Sequence, residues 1–187
     1  LILIYIWVRF QSLRYSIGAV LSTAHDCIVA VGAIAIAGPM VEYTPGLAAA
    51  LGIDAFKIDL NVVAAVLTIL GYSLNDTVIV MDRIRENRGK LSYATRKVIN
   101  DSINQTISRT VITSGLTLMA TLGIYLLGGE AMRAFAFTFV IGIITGTYSS
   151  VFIAAPVVWV KRYDPTEGGT PPELAADGSL NGQPHAT

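Results

Sequence analysis

Four long apolar runs constrain the fold of this chain more than any other feature of its sequence. They cover residues 16–37, 60–81, 107–127 and 134–160, and each holds at most one formal charge. A helix needs about 20 apolar residues to cross about 30 Å of hydrocarbon, and runs of this length without turn residues indicate helices rather than strands. Only 14% of the chain is charged, compared with about 25% in an ordinary soluble domain. The sequence therefore predicts an all-α, polytopic membrane protein with four complete transmembrane helices.

Lysine and arginine residues predict how these helices are oriented. They cluster before the first run, between the second and third, and after the fourth, as Arg9, Arg14, Arg83, Arg85, Arg88, Lys90, Arg96, Lys97, Lys161 and Arg162. The two alternate loops hold only Lys57 and Arg133. Because cytoplasmic loops of membrane proteins carry an excess of Lys and Arg, we expect the basic loops and the C-terminal tail to be cytoplasmic.

The segments outside the apolar runs are assigned from length and composition. Residues 1–8, LILIYIWV, are too short to cross a bilayer and are expected to be the end of a truncated transmembrane helix that precedes a transmembrane domain over 9–162. Residues 163–187 are expected to form a disordered cytoplasmic tail, because they lack apolar periodicity. We expect residues 38–59 to be a plain loop, with a small re-entrant or interfacial segment as the alternative. Residues 82–104 are expected to extend the second helix and return as a short surface helix.

Charged residues inside the apolar runs are the candidate functional residues. They are Asp26, Asp76 and Arg109, and a charge at mid-bilayer costs about 2.5–3.5 kcal/mol on insertion scales. Two structural explanations are an Asp76–Arg109 ion pair that joins two helices and side chains that snorkel to water. Asp26 fits equally well a relay partner of Asp76 and a neutral acid that bonds to a neighbouring helix. His25 points about 100° away from Asp26 on a helix, so we do not expect the two to act as one pair. We expect His25 to be a hydrogen-bonded packing residue, with a second member of the relay as the alternative.

Polar and small residues recur at helical spacing around these charges. The polar faces contain Thr68, Tyr72, Asn75 and Asp76 of the second run and Thr106, Arg109, Thr110, Thr113, Thr117 and Thr121 of the third. In the fourth run, Gly142 and Gly146 have the GxxxG spacing that is typical of close helix packing. Polar faces that converge with an acid and an arginine indicate a hydrated path between helices.

A protonatable acid beside a fixed positive charge can couple proton binding to helix movement. A low dielectric favours a protonated carboxyl group, whereas a nearby guanidinium favours the carboxylate. If the distance between Asp76 and Arg109 changes between two conformations, the proton affinity of Asp76 changes with it. The predicted proton pathway consists of Asp76, Arg109 and Asp26, with Tyr72, Asn75, Thr113 and Thr117 as its polar lining.

Three motifs in the chain resemble the SecF family of protein-export subunits. They are GYSLNDTVIVMDRIREN, SRTVITSGLTL and IGIITGTYSSVFIAAPVV, which occur in the family's order on successive helices. The resemblance extends over nearly everything from Arg9 to Lys161. SecD subunits tend to carry a stretch similar to DANVLIFERIRE in the corresponding helix, so the Asn75–Thr77 stretch and the Asp82–Arg83 pair favour SecF.

The resemblance implies a helical bundle of the RND type and a subunit that uses the proton gradient to promote polypeptide export through the Sec channel. It implies a SecD-type subunit, the SecYEG channel, the translocating polypeptide and membrane lipids as partners, with no nucleic acid. The location that it implies is the plasma (inner) membrane. In this family the aspartate of the ND-T motif and the arginine of the S-R-T motif are proton-path residues, and those positions here are Asp76 and Arg109.

Two other functions remain open at this point, and no enzymatic activity, metal or cofactor is expected besides the proton gradient. One is a proton-coupled exporter of small molecules or lipids from the RND superfamily, against which the short chain and the SecF-like motifs argue. The other is a structural membrane scaffold with an inert Asp–Arg pair. The family also has a first helix and an extracytoplasmic domain that this sequence does not show, and residues 38–59 are longer than the family leads us to expect.

Overall fold

The computed structural model describes residues 13–89 and 94–159, and this part of the chain is mostly helical, with an irregular segment over 52–59 and without a named strand. The predicted residues 1–8 and 163–187 lie outside the described residues. The elements are α1 (Leu13–Tyr43), α2 (Pro45–Leu51), α3 (Leu60–Arg88), α4 (Arg96–Leu127), α5 (Gly129–Ser149), a π-helical turn (Ser150–Ala154) and α6 (Ala155–Val158).

Within the residues that the structure describes, four helical stretches are long and apolar enough to cross a membrane, as the sequence predicts. They are Tyr15–Tyr43, Leu60–Arg88, Arg96–Leu127 and Gly129–Val158. The first three continue beyond the apolar runs into polar sequence. Backbone hydrogen bonds and helix caps stabilise a helix in polar sequence as well, so a helix need not end where its apolar run ends.

The segment between α1 and α3 is more helical than the plain loop that we expected. Helix α1 continues to Tyr43 with Pro39 inside it, and α2 follows with Pro45 at its first position. Proline is tolerated there because its missing N–H has no partner in a first helical turn. Gly52 ends α2 in the left-handed conformation, with a φ of 66°, which glycine adopts at little cost.

The expectation of a separate surface helix after α3 is wrong. Helix α4 starts at Arg96 and runs without interruption to Leu127, and Thr95 caps it by accepting a hydrogen bond from the Val98 N–H. Asn87 of α3 donates to Ser102 Oγ of α4 at 2.8 Å, which joins the two helices near this end. We call it the basic end of the bundle, defined by Arg83, Arg85, Arg88 and Arg96.

Helices α3 and α5 form the centre of the bundle, with α1 and α4 on opposite sides of them. Gly142 of α5 lies directly against the Ile69 side chain of α3, and Gly146 faces Ser73 one turn further along. Small residues let two helix backbones approach closely. This close approach brings the polar residues of α3 near those of α1 and α5.

The last helix is interrupted where proline enters it. Pro156 cannot donate a backbone hydrogen bond, and its ring crowds the carbonyl one turn earlier, so the preceding residues Ser150–Ala154 take a wider π-helical turn. Beyond α6, Trp159 pairs with Ala94 in an isolated bridge, and the Arg96 guanidinium stands 5.5 Å from the Trp159 ring centroid.

Candidate functional site: two buried acids in the helix bundle

Asp76 lies on the inner face of α3, where the residue is only 3% exposed. Its Oδ2 atom is buried and has no hydrogen-bond partner among the described residues. The neighbouring Thr77 Oγ1 and the Thr110 Oγ1 of α4 are also buried and unpaired. Buried polar atoms without partners are uncommon in proteins and often mark sites of function.

Three residues of α4 interact with the Asp76 carboxyl group. Ser114 and Thr110 do so through their hydroxyl groups, and Arg109 does so through its charge. Ser114 Oγ accepts hydrogen bonds from Tyr72 at 3.0 Å and from Thr147 at 2.8 Å. Ser114 therefore joins α3, α4 and α5 next to the acid.

Arg109 does not form an ion pair with Asp76 in the described part of the chain. It is exposed and lines a cleft of about 360 Å³ between α3 and α4, at the basic end of the bundle. The cleft is also lined by Ile79, Asp82, Arg83, Glu86, Gln105 and Thr106. Because Ile79 and Thr106 each lie about one helical turn from the Asp76–Thr110 level, the cleft ends close to the buried acid.

Asp26 lies on the other side of α3 and is fully buried, with 0% of the residue exposed. Its Oδ2 accepts hydrogen bonds from Ser73 of α3 at 2.5 Å and from Ser149 of α5 at 2.8 Å. Ser22 in turn donates to Ser149 Oγ at 2.9 Å. Three helices therefore meet at this one carboxyl group, each through a hydroxyl group or the acid itself.

The expectation that His25 does not pair with Asp26 is wrong. His25 Nδ1 lies 3.2 Å from Asp26 Oδ1, and the two residues are adjacent on α1. Adjacent residues of a helix point about 100° apart, but rotation about side-chain bonds can still bring their end groups together, as it does for this imidazole and carboxyl group.

The predicted lining residues divide into two groups. Tyr72 reaches the Asp76 site through Ser114, whereas Asn75 and Thr113 are exposed on the outer surface of α3 and α4. Thr113 and Thr117 bond to backbone carbonyls of their own helix, of Arg109 and Thr113 respectively. Ser114 and Thr110, rather than Thr113 and Thr117, face the acid.

Two serines at these sites escaped the sequence reasoning. Ser73 precedes Asp76 by three positions and Ser114 follows Thr110 by four, so each shares a helix face with a residue that was singled out. Helical spacing alone could have found both. Among residues 13–89 and 94–159, no group of three or more His, Cys, Asp or Glu side chains could hold a metal ion.

Long apolar helices packed through glycine around buried acids define a polytopic helical membrane protein with ionisable groups in its interior. Comparison with known families makes this class specific. Residues 1–163 match the family described as protein export membrane protein SecD/SecF, C-terminal, and the chain belongs to that family.

Individual relatives agree with this assignment. The chain is 47% identical over 157 residues to protein translocase subunit SecF of Koribacter versatilis, an alignment that covers 83% of this chain and 34% of the relative. It is 39% identical over 188 residues to the SecF subunit of Rhodobacter capsulatus, with 98% of this chain and 50% of the relative covered. The chain therefore spans about a third to a half of the relatives that it matches.

Solved structures show the same arrangement of helices. SecDF in its super-membrane-facing form has a TM-score of 0.63 and 38% identity, over 83% of this chain and 19% of that one. SecDF from Thermus thermophilus, described as a translocon-associated membrane protein, has a TM-score of 0.61 and 40% identity over the same shares of the two chains.

Proposed function

We propose that this chain is the membrane part of a SecF-type subunit that uses the proton gradient to promote polypeptide export through the Sec channel. One observation carries the proton-coupled part of this proposal. Asp76 is a buried acid whose Oδ2 has no hydrogen-bond partner within the described residues, and it lies next to a polar cleft that opens at the basic end. An ionisable group inside a membrane bundle is by default a functional site.

The cleft provides the route by which protons reach or leave Asp76. Asp82 and Glu86 line it with carboxyl groups, and Thr106 and Gln105 add polar side chains that water can solvate. From its inner end, the unpaired hydroxyl of Thr110 and the hydroxyl of Ser114 lead to the acid. Each proton that crosses 100 mV releases about 2.3 kcal/mol, which is available to move the helices.

Arg109 is the fixed charge in this mechanism. It lines the cleft rather than pairing with Asp76, so the conformation described here is one in which the two groups are separated. A shift of α4 that carried Arg109 towards Asp76 would favour the carboxylate and release the proton. Asp76, and not Arg109, is the group that gains and loses a proton, because guanidinium remains charged in proteins.

A SecD-type subunit is the partner that we propose for the exposed polar face of α3 and α4. This face contains the exposed amide of Asn75 with exposed Thr68, Gly71 and Thr113 around it, and the hydroxyl groups of Thr68 and Thr113 already bond to backbone carbonyls of their own helices. An exposed amide within an apolar helix is unfavourable in lipid, whereas a hydrogen bond to a neighbouring helix satisfies it. The remaining apolar surface is expected to face membrane lipids.

We further propose that the protein lies in the plasma (inner) membrane with its basic end in the cytoplasm, as the distribution of Lys and Arg indicates. We also propose that the complex to which it belongs acts on the translocating polypeptide and on SecYEG. No cofactor besides the proton gradient enters this proposal.

Replacement of Asp76 by Asn in the whole protein tests the proposal. Asn has nearly the same size and cannot be ionised, so we expect export driven by the proton gradient to stop while the complex still assembles. Asp101→Asn is the matched control, because Asp101 is an exposed acid near the start of α4. Unaltered export in Asp76→Asn would refute the proton-coupled function, and defective assembly with unaltered export would favour the structural scaffold.

A further inference from the structure

Helix α2 is an apolar element that the proposed function does not use. Its sequence is PGLAAAL, and six of its seven residues are exposed, with only Ala48 buried. Leu47 and Leu51 lie one turn apart on the same face and are 54% and 51% exposed. No charged residue occurs between Glu42 and Asp54. Contact of such a surface with water is unfavourable, which indicates that α2 has an apolar environment.

The height of α2 in the membrane follows from the span that leads into it. Tyr15–Tyr43 rises about 42 Å, close to the thickness of a bilayer with its headgroup regions, about 40–45 Å. Tyr15 lies at the basic end, where the Arg88 guanidinium stands 5.9 Å from its ring centroid. Tyr43 therefore lies at the opposite membrane interface, which we call the far end. It is exposed, and tyrosine is enriched at membrane interfaces.

The polar backbone groups at the end of α2 are bonded within the protein. The Tyr125 hydroxyl group of α4 lies 3.0 Å from the Leu51 carbonyl oxygen and 2.8 Å from the Gly52 carbonyl oxygen. The N–H groups of Gly52 and Ile53 donate to carbonyls inside α2. The last carbonyls of a helix can bond to water where water is present, whereas backbone groups in contact with lipid must be bonded by the protein. This helix end meets the stricter requirement.

After α2 the chain turns back along the bundle. Arg133 of α5 donates to the Asp54 carboxylate at 2.8 Å, and the ring centroids of Phe56 and Phe137 are 5.0 Å apart. Phe137 lies eight residues after Gly129, the first residue of α5, which corresponds to a rise of about 12 Å. The segment that follows α2 therefore lies beside α5 rather than beyond its end, and it holds α2 close to the membrane.

The apolar surface of α2 continues the apolar surface of the two spans that it joins. Ile36, two turns before the end of α1, and Leu60, the first residue of α3, are both exposed. Each belongs to a helical stretch that is long and apolar enough to cross a membrane. Lipid acyl chains are as apolar as these side chains. The lipid that surrounds both spans at the far end can therefore also cover α2.

We propose that α2 is a membrane-interface helix. Its exposed apolar residues bind the boundary between headgroups and acyl chains in the phospholipid leaflet at the far end, where interfacial helices bury their apolar side chains about 5–10 Å deep. Because this contact is apolar, it requires no particular headgroup charge, unlike the attraction of basic residues to anionic lipids. The proposal is independent of proton coupling, since no residue of α2 belongs to the Asp76 site or to the cleft.

Spin labels on α2 test this proposal in the protein reconstituted with a cysteine-free SecD-type subunit in phospholipid bilayers. Leu47→Cys and Leu51→Cys are labelled one at a time in a Cys27→Ser background, because Cys27 is the only cysteine of the chain. Collisions with oxygen, which concentrates among acyl chains, are compared with collisions with a water-soluble nickel chelate. Glu130→Cys is the matched control, since Glu130 is an exposed acid in the first turn of α5 at the same end.

We expect the oxygen-to-nickel collision ratio at both α2 labels to exceed that at Glu130→Cys several-fold, and to be the same in neutral and in anionic bilayers. A ratio equal to that of the control would show that α2 lies in water and would overturn the proposal. Protection of both labels from both reagents would overturn it in favour of a protein partner. A ratio that changes several-fold with headgroup charge would contradict the apolar basis of the contact. Leu47 and Leu51 are exposed, so either variant leaves the packing of Ala48 unchanged and each decides separately.

Discussion

Gly142 packs so tightly against α3 that it should not tolerate one added methyl group. An alanine β-carbon at this position would overlap the Cγ1 and Cδ1 atoms of Ile69 and lie 3.0 Å from its Cγ2. Ile69 is 1% exposed, so its side chain has little room to move away. Overpacking of a core costs about 1–3 kcal/mol, whereas alanine is favoured over glycine within a helix by about 1 kcal/mol. We therefore expect Gly142→Ala to lower the free energy of unfolding by up to about 2 kcal/mol.

Reversible unfolding in mixed detergent micelles would measure this change. Gly115→Ala is the matched control, since Gly115 lies within α4 and a β-carbon there meets nothing within 4 Å. The control should be neutral or more stable, by up to about 1 kcal/mol. The difference between the two alanine variants then reports the contact with Ile69 rather than helix propensity.

A second substitution tests whether the effect passes through Ile69. Ile69→Ala alone should cost about 2–5 kcal/mol, because it leaves a cavity. The added methyl group of Gly142→Ala would fill part of that cavity, so the double variant should be as stable as Ile69→Ala alone or more stable. Additive losses in the double variant, or equal stability of Gly142→Ala and Gly115→Ala, would refute the close packing of α5 on α3.

Two further predictions use the same unfolding measurement. Tyr72→Phe removes the hydroxyl group that donates to Ser114 at 3.0 Å, which should cost about 0.5–1.5 kcal/mol; unchanged stability would contradict that bond. Asp59→Ala removes the N-cap of α3, where Asp59 accepts from the Val62 N–H at 3.0 Å, and should cost about 1 kcal/mol. Asp59→Asn should retain most of that stability, so equal losses in the two Asp59 variants would argue against the cap.

The features that follow from side-chain periodicity could be predicted from the sequence. Long apolar runs predict the existence of four long helices, because the length and composition of a run largely determine whether it can cross a bilayer as a helix. The helix face on which a residue lies also follows from its position in the sequence. Tyr72 and Asp76 are four positions apart, and helical spacing therefore places them on one side of α3. Family motifs added the assignment to SecF-like proteins, which the comparisons confirm.

The sequence could not show which residues of the other helices contact each helix face. Asn75 is adjacent to Asp76 in sequence but is exposed, whereas Ser114, on another helix, faces the acid. The contact between His25 and Asp26 depends on side-chain rotation, which helical angles do not include. Likewise, polar sequence after Arg88 indicated a separate surface helix, although a single cap at Thr95 suffices to start α4 there.

The wide turn at Ser150–Ala154 sets the rotational phase between the two parts of the last helix. It spans five residues, which wind about as far as four residues of a regular α-helix. Deletion of one of them should therefore restore regular winding and leave Ala155 and Val158 facing the interior. Deletion of one residue from the regular part of α5 should instead rotate everything that follows by roughly 100°, which would swing Ala155 and Val158 out of the interior and move Trp159 off Ala94. The last helix should therefore tolerate the loss of a residue at this turn far better than elsewhere along its length.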